Sequence, residues 1–315
     1  MRFAASIVLS GLLSMLSQAP AFAWWDEGHM QIAYLAYRRL DPAVKDRADA
    51  LLRLNPDYAS WTCGAPDPEK AKLYAFVHAA TWADDIKTKT DYTDKHDDID
   101  KLTASQNIGY SDKLRHQYWH FKDTQYSPDG ATLPPPDPVD AVTQLTLMIA
   151  ALPASSGASD DLRSYDLVWT LHLVGDLHQP LHAIARYTLA LMNDRGGNAE
   201  TVIPATGESL PLHFYWDRMF GGFASVPGAI FDADEKGGLA EVTPNEKAAK
   251  VIDPAVWAKE SYELAKTYSY ADPVGNGQAA AALTRAYETT ARTVARSQAA
   301  LAAARLANLL NTVLK

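Results

Sequence analysis

The sequence is poor in cysteine, because its 315 residues include only one, Cys63. A lone cysteine excludes an intramolecular disulfide, and it excludes a metal site built from cysteines alone. Any metal site in this chain must therefore use histidine, aspartate, glutamate or backbone groups. The stability of the fold must come from packing and bound ions rather than from covalent cross-links.

Positive charge is also scarce, because 29 lysines and arginines stand against 38 aspartates and glutamates, a formal net charge of -9. A protein that binds nucleic acid through counterion release is usually basic. If this chain binds nucleic acid, its positive charge must be local, and bound metal ions are one source of it. The hydrophobic share of 47% is ordinary for a globular protein and argues against disorder.

Long apolar runs are absent after the N-terminus. At the N-terminus, Arg2 precedes a short apolar stretch, and residues 21–23 read Ala-Phe-Ala, an A-x-A cleavage signal. The pattern predicts a signal peptide over residues 1–23, whose removal makes Trp24 the first residue of a periplasmic or secreted protein. The alternative is an uncleaved anchor, for which the apolar stretch is short. After cleavage we expect no membrane contact.

Helical periodicity dominates the rest of the chain, and strand-like alternation is limited to short pieces. Apolar spacing and proline positions predict helices over residues 29–40, 68–87, 137–152 and 160–179 and from about residue 254 onward. The polar stretch 88–119 is predicted to be a surface excursion, and residues 183–212 a long loop. Residues 24–315 are therefore predicted to form a single, mostly helical, all-α domain.

An aspartate follows a histidine four residues later in His172-x3-Asp176 and in His213-x3-Asp217. On a helix this spacing places both side chains on one face, where they can bind the same ion. A single such pair is more often a capped or salt-bridged surface pair. A proline after the first pair is expected to end that helix, so that His182 leaves in a new direction and can reach a second metal.

The remaining candidate positions stand beside aromatic or apolar residues. They occur in the motifs Trp24-x4-His29, Trp82-Ala83-Asp84 and Trp119-His120-Phe121-Lys122-Asp123. Such neighbours imply burial, and buried ionisable side chains need partners or metal ions. Taken alone, each position is equally compatible with a core histidine, a buried aromatic or a solvated acid. Taken together, they supply histidines and aspartates in a pattern that favours metal binding.

Six motifs follow one another along the chain: Trp24-x4-His29, Trp82-Ala83-Asp84, His120-Phe121, His172-x3-Asp176-x5-His182, Gly196-Gly197-Asn198 and Leu212-His213-x3-Asp217. This set resembles the S1/P1 nucleases, and its order and spacing match that family as far as about residue 217. The resemblance implies a fold of the zinc phospholipase C / P1 nuclease type and three zinc ions per chain. It also implies hydrolysis of single-stranded DNA and RNA to 5′-phosphorylated products, with 3′-nucleotidase activity. We expect the protein to be a monomer.

The resemblance assigns a ligand set to each zinc. The first zinc would be held by Asp84, His120, His172 and Asp176, the second by His182, His213 and Asp217, and the third by His29 with the α-amino nitrogen and carbonyl oxygen of Trp24. Asp176 would bridge the first and third ions. These nitrogen and oxygen donors suit zinc and leave coordination positions for water. A hydroxide bridging those two ions would be the nucleophile, which makes Asp84 and Asp176 the catalytic carboxylates.

Substrate contacts are implied by the same resemblance. Phe121 corresponds to a residue that stacks on a base, Asp123 to one that hydrogen-bonds it, and Asn198 is expected to line the base site. Stacking on an aromatic ring is tolerant of sequence and suits single strands. Lys87, three residues after Asp84, either neutralises the phosphate as a catalytic residue or is an ordinary surface charge.

Two other functions remain open at this point. A zinc-dependent phospholipase C resembles this family in fold and metal arrangement, but its first histidine ligand lies farther from the N-terminal tryptophan than His29 does, and its last ligand is a glutamate where this chain has Asp217. A non-catalytic periplasmic zinc-binding protein is the other alternative. The remaining four histidines have no assigned role; they are His78, His96, His116 and His178.

Overall fold

The computed structural model describes residues 24–222, 225–275 and 279–315, and 54% of these residues are helical against 5% in strands. Within these ranges twelve α-helices follow one another: α1 (Asp26–Arg38), α2 (Pro42–Leu52), α3 (Tyr58–Trp61), α4 (Pro68–Ala79), α5 (Trp82–Asp85), α6 (Ala141–Ala151), α7 (Asp160–Asp176), α8 (Leu212–Asp217), α9 (Val226–Asp234), α10 (Glu246–Ala249), α11 (Pro254–Leu264) and α12 (Arg285–Val313). The predicted all-α class is confirmed. The predicted signal peptide lies outside the described residues and stays a prediction.

Five short strands form two small sheets. They are β1 (Gln125–Tyr126), which pairs parallel with β2 (Ala185–Arg186), and β3 (Thr201–Ile203), which pairs antiparallel with β4 (Leu210–Pro211) and parallel with β5 (Ala281–Ala282). Three of these strands lie in the stretch that was predicted to be one long loop. The prediction missed them because strands of two or three residues are too short to show an alternating pattern.

Local sequence signals explain where the longer helices begin. Asp67 caps α4 by accepting a hydrogen bond from the amide of Lys70, and Pro68 occupies the first turn, where no amide hydrogen is needed. Asp140 and Thr143 form a reciprocal capping box at the start of α6. These caps satisfy amides that a helix leaves unpaired, and each contributes about 1 kcal/mol.

Helix α7 lies at the centre of the molecule. Every residue from Ser164 to Asp176 is buried, and α1, α2, α5, α6 and α12 all pack against it. Helix α1 packs against α12, whose buried face is largely alanine and therefore admits a neighbouring helix closely. The main hydrophobic cluster draws side chains from Trp24 to Leu314. Helix α1, which carries His29, and helix α7, which carries His172 and Asp176, thus contact each other in the interior.

Two predicted segments need correction. The helix expected over 68–87 is interrupted: α4 ends at Ala79 and α5 begins at Trp82. The stretch 88–119 is irregular as expected, but it is not merely a surface excursion, because it carries buried aromatic side chains such as Tyr110 and Trp119 into the core. Its polar composition concealed the few apolar residues that anchor it.

No helix among the described residues is both long enough and apolar enough to cross a membrane.

Candidate metal centre

Eight of the nine predicted ligand residues come together in three buried clusters. In each cluster the candidate ligand atoms lie within 4.8 Å of one another; the first cluster is Asp84, His120 and His172, the second is His182, His213 and Asp217, and the third is His29, His172 and Asp176. His172 belongs to both the first and the third. None of these eight residues is more than 4% exposed. The ninth predicted ligand, Trp24, differs from these eight because its expected donors are backbone groups.

Helix geometry places four of these side chains. His172 and Asp176 lie one turn apart on α7, and the His172 Nε2 atom is 3.3 Å from an Asp176 oxygen. His213 and Asp217 repeat the relationship on α8, at 3.6 Å. The i, i+4 spacing seen in the sequence therefore does put each pair on one helix face. His182 lies beyond the end of α7 in a short 3₁₀ turn, as its separation by a proline predicts.

Asp176, which belongs to the third cluster, also contacts the first. Asp176 Oδ2 lies 3.1 Å from His120 Nδ1, and Asp176 Oδ1 lies 3.3 Å from His29 Nε2. The His29 and His172 rings stack with centroids 4.0 Å apart. Asp176 therefore faces one cluster with each of its oxygens, the arrangement that a bridging ligand requires.

Backbone carbonyls orient three of the histidine rings. The Nδ1 atoms of His172, His182 and His213 lie 2.8, 2.8 and 2.7 Å from the carbonyl oxygens of Ala80, His120 and Gly196, respectively. A carbonyl can only accept, so each Nδ1 carries a hydrogen and each Nε2 is the ring nitrogen that faces its cluster. This is how metal-ligating histidines are usually fixed.

The charges of the first and third clusters depend on one another. Burial works to lower the pKa of His172, but Asp176 and Asp84 outweigh it and raise that pKa to about 9. Burial works to raise the pKa of Asp84, but Lys87, His172 and His120 outweigh it and lower that pKa to about 2. Two buried carboxylates therefore draw positive charge into the space between them, which a metal ion would supply.

The second cluster is uncharged without a cation. Burial, with the neighbouring His182, lowers the pKa of His213 to about 3, and burial also lowers the pKa of His182. Burial raises the pKa of Asp217 well above its ordinary value, although the Gln179 amide donates a 2.7 Å hydrogen bond to its Oδ1. Neutral imidazoles are the form that binds metals, and a cation would allow Asp217 to ionise.

These features fit zinc better than they fit a metal-free function. The donors are imidazole nitrogens and carboxylate oxygens, which zinc accepts. Buried Asp84 Oδ2 and Asp176 Oδ1 have no hydrogen-bond partner. Unpaired buried carboxylate oxygens are costly, and a bound cation removes that cost.

Trp24 lies two residues before the start of α1, the helix that carries His29. Its side chain is fully buried and packs edge-on against Phe220, with centroids 5.2 Å apart. The next amide, that of Trp25, donates a 3.1 Å hydrogen bond to the carbonyl of Asp217. The start of the described chain therefore runs past a residue of the second cluster. The expected role of the Trp24 amine depends on cleavage of the leader and stays a prediction.

Lys87 is buried rather than an ordinary surface charge. Its ammonium lies 2.6 Å from Asp84 Oδ1, and its side chain is 4% exposed. An ammonium held beside the first cluster is positioned to compensate negative charge there. The alternative prediction that Lys87 is an ordinary surface charge is therefore wrong.

The residues expected to bind a base lie on a segment that leaves the first cluster. After His120 the chain is extended and runs beside the second cluster, where the Lys122 amide donates a 2.7 Å bond to the carbonyl of His182. Phe121 and Asp123 stand on either side of Lys122 in this segment. Both are half-buried, and burial together with Asp137 and Asp194 raises the pKa of Asp123 to about 7.

Asn198 lies in the glycine-containing loop before β3. It is half-buried, and its side-chain amide donates a 2.8 Å bond to the carbonyl of Arg195. This contact stays within its own loop, so the structure shows Asn198 supporting the loop conformation. Its predicted contact with a base remains a prediction.

The four unassigned histidines lie outside the clusters. His178 is fully buried and accepts a 3.0 Å hydrogen bond from Arg305, which joins the end of α7 to α12. His116 stacks on Trp119 at 3.6 Å and hydrogen-bonds Asp112. His78 is half-buried, and His96 is exposed in a left-handed turn. The first two have clear structural roles.

Two supporting residues were missed by sequence reasoning. A Cβ on Gly175 would lie 2.7 Å from His29 Nδ1, so only glycine lets α1 bring His29 beside α7. Gln179 holds Asp217 through the hydrogen bond described above. A glycine inside a predicted helix and next to a candidate ligand is the signal that identifies the first of these. Nothing in the sequence pattern distinguishes Gln179.

A model of the S1/P1 Nuclease family matches residues 24–315, which is essentially the whole of the described chain. Comparison with curated proteins finds no match.

Proposed function

This chain belongs to the S1/P1 nuclease family of phosphodiester hydrolases, and we propose that it cleaves single-stranded DNA and RNA to 5′-phosphorylated products and removes phosphate from 3′-nucleotides. The observation that carries the proposal is the set of three buried His/Asp clusters, two of which, the first and the third, meet at His172 and at the two oxygens of Asp176. The other parts of the proposal follow from the residues around these clusters.

The family is zinc-dependent, and the three clusters are the places where this chain would hold zinc. We assign Asp84, His120, His172 and Asp176 to the first ion, His182, His213 and Asp217 to the second, and His29 with the Trp24 amine and carbonyl to the third. Bound zinc supplies Lewis acidity, which lowers the pKa of water and offsets phosphate charge. It also provides the local positive charge that an acidic chain otherwise lacks.

The protein's own groups prepare this centre. Ala80, His120 and Gly196 hold three imidazole rings in the tautomer that presents Nε2 to the clusters. Burial of every cluster side chain excludes bulk water, which strengthens electrostatic interactions in the site. The Lys87 ammonium beside Asp84 adds a positive charge that does not depend on an ion, and we propose that it faces the substrate phosphate.

Selection of single strands would come from the segment that follows His120. Phe121 offers a half-buried ring on which an unpaired base can stack, and stacking of this kind contributes about 1–3 kcal/mol per base. With a pKa of about 7, Asp123 can donate or accept a hydrogen bond near neutrality. A base inside a duplex cannot enter such a site without leaving its stack. Asn198 would line the same site from the neighbouring loop.

The protein would act outside the cytoplasm, in the periplasm or the medium. The residues before Trp24 carry the features of a signal peptide, and their removal would free the amine assigned to the third ion. Export and metal loading are then connected, because the complete ligand set exists only after cleavage. The chain is proposed to work as a monomer, since all the assigned ligands belong to one copy.

A substrate panel tests the proposal on the mature chain loaded with zinc. We expect cleavage of a single-stranded oligonucleotide, much slower cleavage of its duplex, phosphate release from 3′-AMP but not 5′-AMP, and no release of headgroup from phosphatidylcholine. End-labelling of the products should show 5′-phosphates. Preferential hydrolysis of phosphatidylcholine would instead identify a phospholipase, and zinc binding without any hydrolysis would identify a binding protein.

Two matched variants on α7 test the residue assignment. Asp176→Asn should lower kcat by several orders of magnitude and reduce bound zinc, because it removes the charge shared by two clusters. Asp166→Asn makes the same chemical change on the same helix, where the side chain contacts Asn107 and no cluster residue. It should leave kcat and zinc content unchanged. Full activity in Asp176→Asn would overturn the assignment.

A further inference from the structure

Arg186 is a buried arginine whose side chain binds residues at both ends of one loop. Its side chain is 4% exposed and forms ion pairs with Asp194 and Glu200, both fully buried. Its Nη1 atom also donates a 2.6 Å hydrogen bond to the carbonyl of Gly275, and the ring of Tyr270 lies 4.3 Å from the guanidinium carbon. A planar fork of donors is needed to reach these separate acceptors at once.

The loop between the two carboxylates, residues 194–200, has a conformation that requires such support. Arg195, Gly196 and Gly197 all have positive φ angles, of 52°, 62° and 85°. A left-handed backbone is unfavourable for a residue with a side chain, so Arg195 stores strain there. A Cβ on Gly196 would lie only 2.6 Å from the carbonyl oxygen of Leu181, which shows how closely this loop approaches the 3₁₀ turn that carries His182.

The same loop controls the ring of His213. The Gly196 carbonyl lies 2.7 Å from His213 Nδ1, and the Gly197 carbonyl accepts a 3.3 Å bond from the His213 amide. The loop is tied at both ends: Asp194 exchanges backbone and side-chain bonds with the main chain of Arg186, and the Glu200 carbonyl accepts from the Leu212 amide at 2.7 Å. A shift of the loop must therefore move the acceptor that fixes the His213 tautomer.

We propose that Arg186 is a positioning residue for the second cluster. By holding Asp194 and Glu200 it keeps the Gly196 carbonyl on His213 Nδ1, and so keeps His213 Nε2 directed at the metal position. Arg186 touches no cluster residue in any hydrogen bond or ion pair that the structure describes. The metal-retention part of this inference rests on the proposed function, whereas the orientation of His213 does not.

The test compares Arg186→Lys with wild type. Lysine keeps the charge that Asp194 and Glu200 need, so the fold should survive, but a single ammonium cannot reach all three acceptors. In zinc-loaded protein dialysed against graded chelator, we expect one zinc per chain to be lost at a 10- to 100-fold lower chelator concentration, the usual effect of removing a residue that supports a metal ligand. The other ions should be retained as in wild type.

Two controls separate a positioning role from general destabilisation. Arg163→Lys alters another arginine that pairs with a carboxylate and a carbonyl, Asp160 and Leu152, away from the clusters; it should retain all zinc. In a His213→Ala background, Arg186→Lys should cause no further zinc loss. Equal zinc retention in Arg186→Lys and wild type, or a further loss without His213, would overturn the inference.

A measurement without metal keeps this inference distinct from the proposed function. In ¹⁵N-histidine NMR spectra of the zinc-free chain, His213 should be the Nδ1–H tautomer in wild type and a tautomer mixture in Arg186→Lys. If wild type binds no zinc, the proposed function fails, and the His213 spectra still decide the role of Arg186. An unchanged Nδ1–H tautomer in folded Arg186→Lys would exclude that role.

Discussion

The Nε2 atoms of His182 and His213 lie 3.0 Å apart, although neither has a hydrogen to share. Each ring has already placed its hydrogen on Nδ1, where it is donated to a backbone carbonyl. Burial lowers the pKa of both side chains, so a bridging proton is disfavoured near neutrality. Two lone pairs at this distance repel each other unless a cation lies between them. The second cluster is thus built for an ion that the fold alone does not supply.

Metal removal should therefore destabilise the whole protein. A zinc site held at a free zinc concentration 100 times its Kd contributes about 2.7 kcal/mol to stability, and three sites contribute more. We expect excess chelator to lower Tm in differential scanning calorimetry by more than 10 °C, and added zinc to restore it. Magnesium, which prefers all-oxygen octahedral sites, should not substitute. The same Tm with and without chelator would contradict this expectation.

Gly175→Ala should disrupt the third cluster without changing any ligand. The added methyl would lie 2.7 Å from His29 Nδ1 and 2.9 Å from Cε1, so the ring or the α1 helix must move. We expect loss of the zinc held by His29 and a cost of about 1–3 kcal/mol in urea unfolding, as for other overpacked interiors.

The His29→Ala background provides the control for this substitution. With the imidazole absent, the methyl of Gly175→Ala fills vacated space, and alanine favours the helix more than glycine by about 1 kcal/mol. The substitution should then be neutral or stabilising. An equal loss of unfolding free energy in both backgrounds would show that Gly175 is required by α7 itself and not for the approach of His29.

Asp166 should make the protein less stable as the pH rises. Burial raises its folded pKa to about 7, with the Asn107 hydrogen bond opposing the shift only in part. The folded state therefore binds more protons than the unfolded state between about pH 4 and pH 7, so stability is full below this window and falls through it. Titration of Asp166 is expected to lower the free energy of unfolding by on the order of 2–4 kcal/mol.

Asp166→Asn tests this assignment because it retains an oxygen that can accept from Asn107. The variant should be about 1–3 kcal/mol more stable than wild type at pH 8, and similar to it at pH 4.5. Urea unfolding of both proteins across this range measures the difference, in which effects common to both cancel. Parallel curves of stability against pH would show that Asp166 does not titrate in this window.

The N-terminus offers a test of the predicted leader cleavage. A chain that begins at Trp24 should bind one more zinc than a chain with a short tag before Trp24, because an acylated amine cannot be a ligand. In a free peptide the α-amino pKa is about 8, so binding requires loss of a proton and should strengthen from pH 6 to pH 8. Equal zinc content in tagged and untagged chains would remove Trp24 from the ligand set.

Spacing within a helix was the most informative signal in the sequence. The pairs His172–Asp176 and His213–Asp217 lie on one helix face each, as an i, i+4 separation requires. Contacts between elements that are far apart in the sequence were not indicated by any comparable spacing. The predicted helix 68–87 breaks after Ala79, where the carbonyl of Ala80 faces His172 Nδ1. Local propensity favours a continuous helix there, and a tertiary contact overrides it.

The residues that hold the ligands in place also could not be predicted from sequence spacing. Arg186 and Gln179 have no pattern that distinguishes them from surface residues, and their partners lie in other segments. The polar stretch 88–119 looked solvent-exposed because most of its side chains are, yet Trp119 lies in the core and packs against Trp169 at 5.1 Å. Sequence composition reports the average of a segment, whereas the fold depends on the few side chains that are exceptions to it.

The alanine-rich face of α12 is the surface against which α1 packs, so α1 depends on the C-terminal helix. Helix α1, which brings His29 to its cluster, lies against the last helix of the described chain, so the first and last elements are mutual neighbours. Every candidate ligand precedes residue 218, yet none of the sequence up to that point supplies this neighbour. A chain cut short before α12 would encode the entire ligand set and still leave α1 without its support. We therefore expect metal binding to require the final described helix, docked against α1.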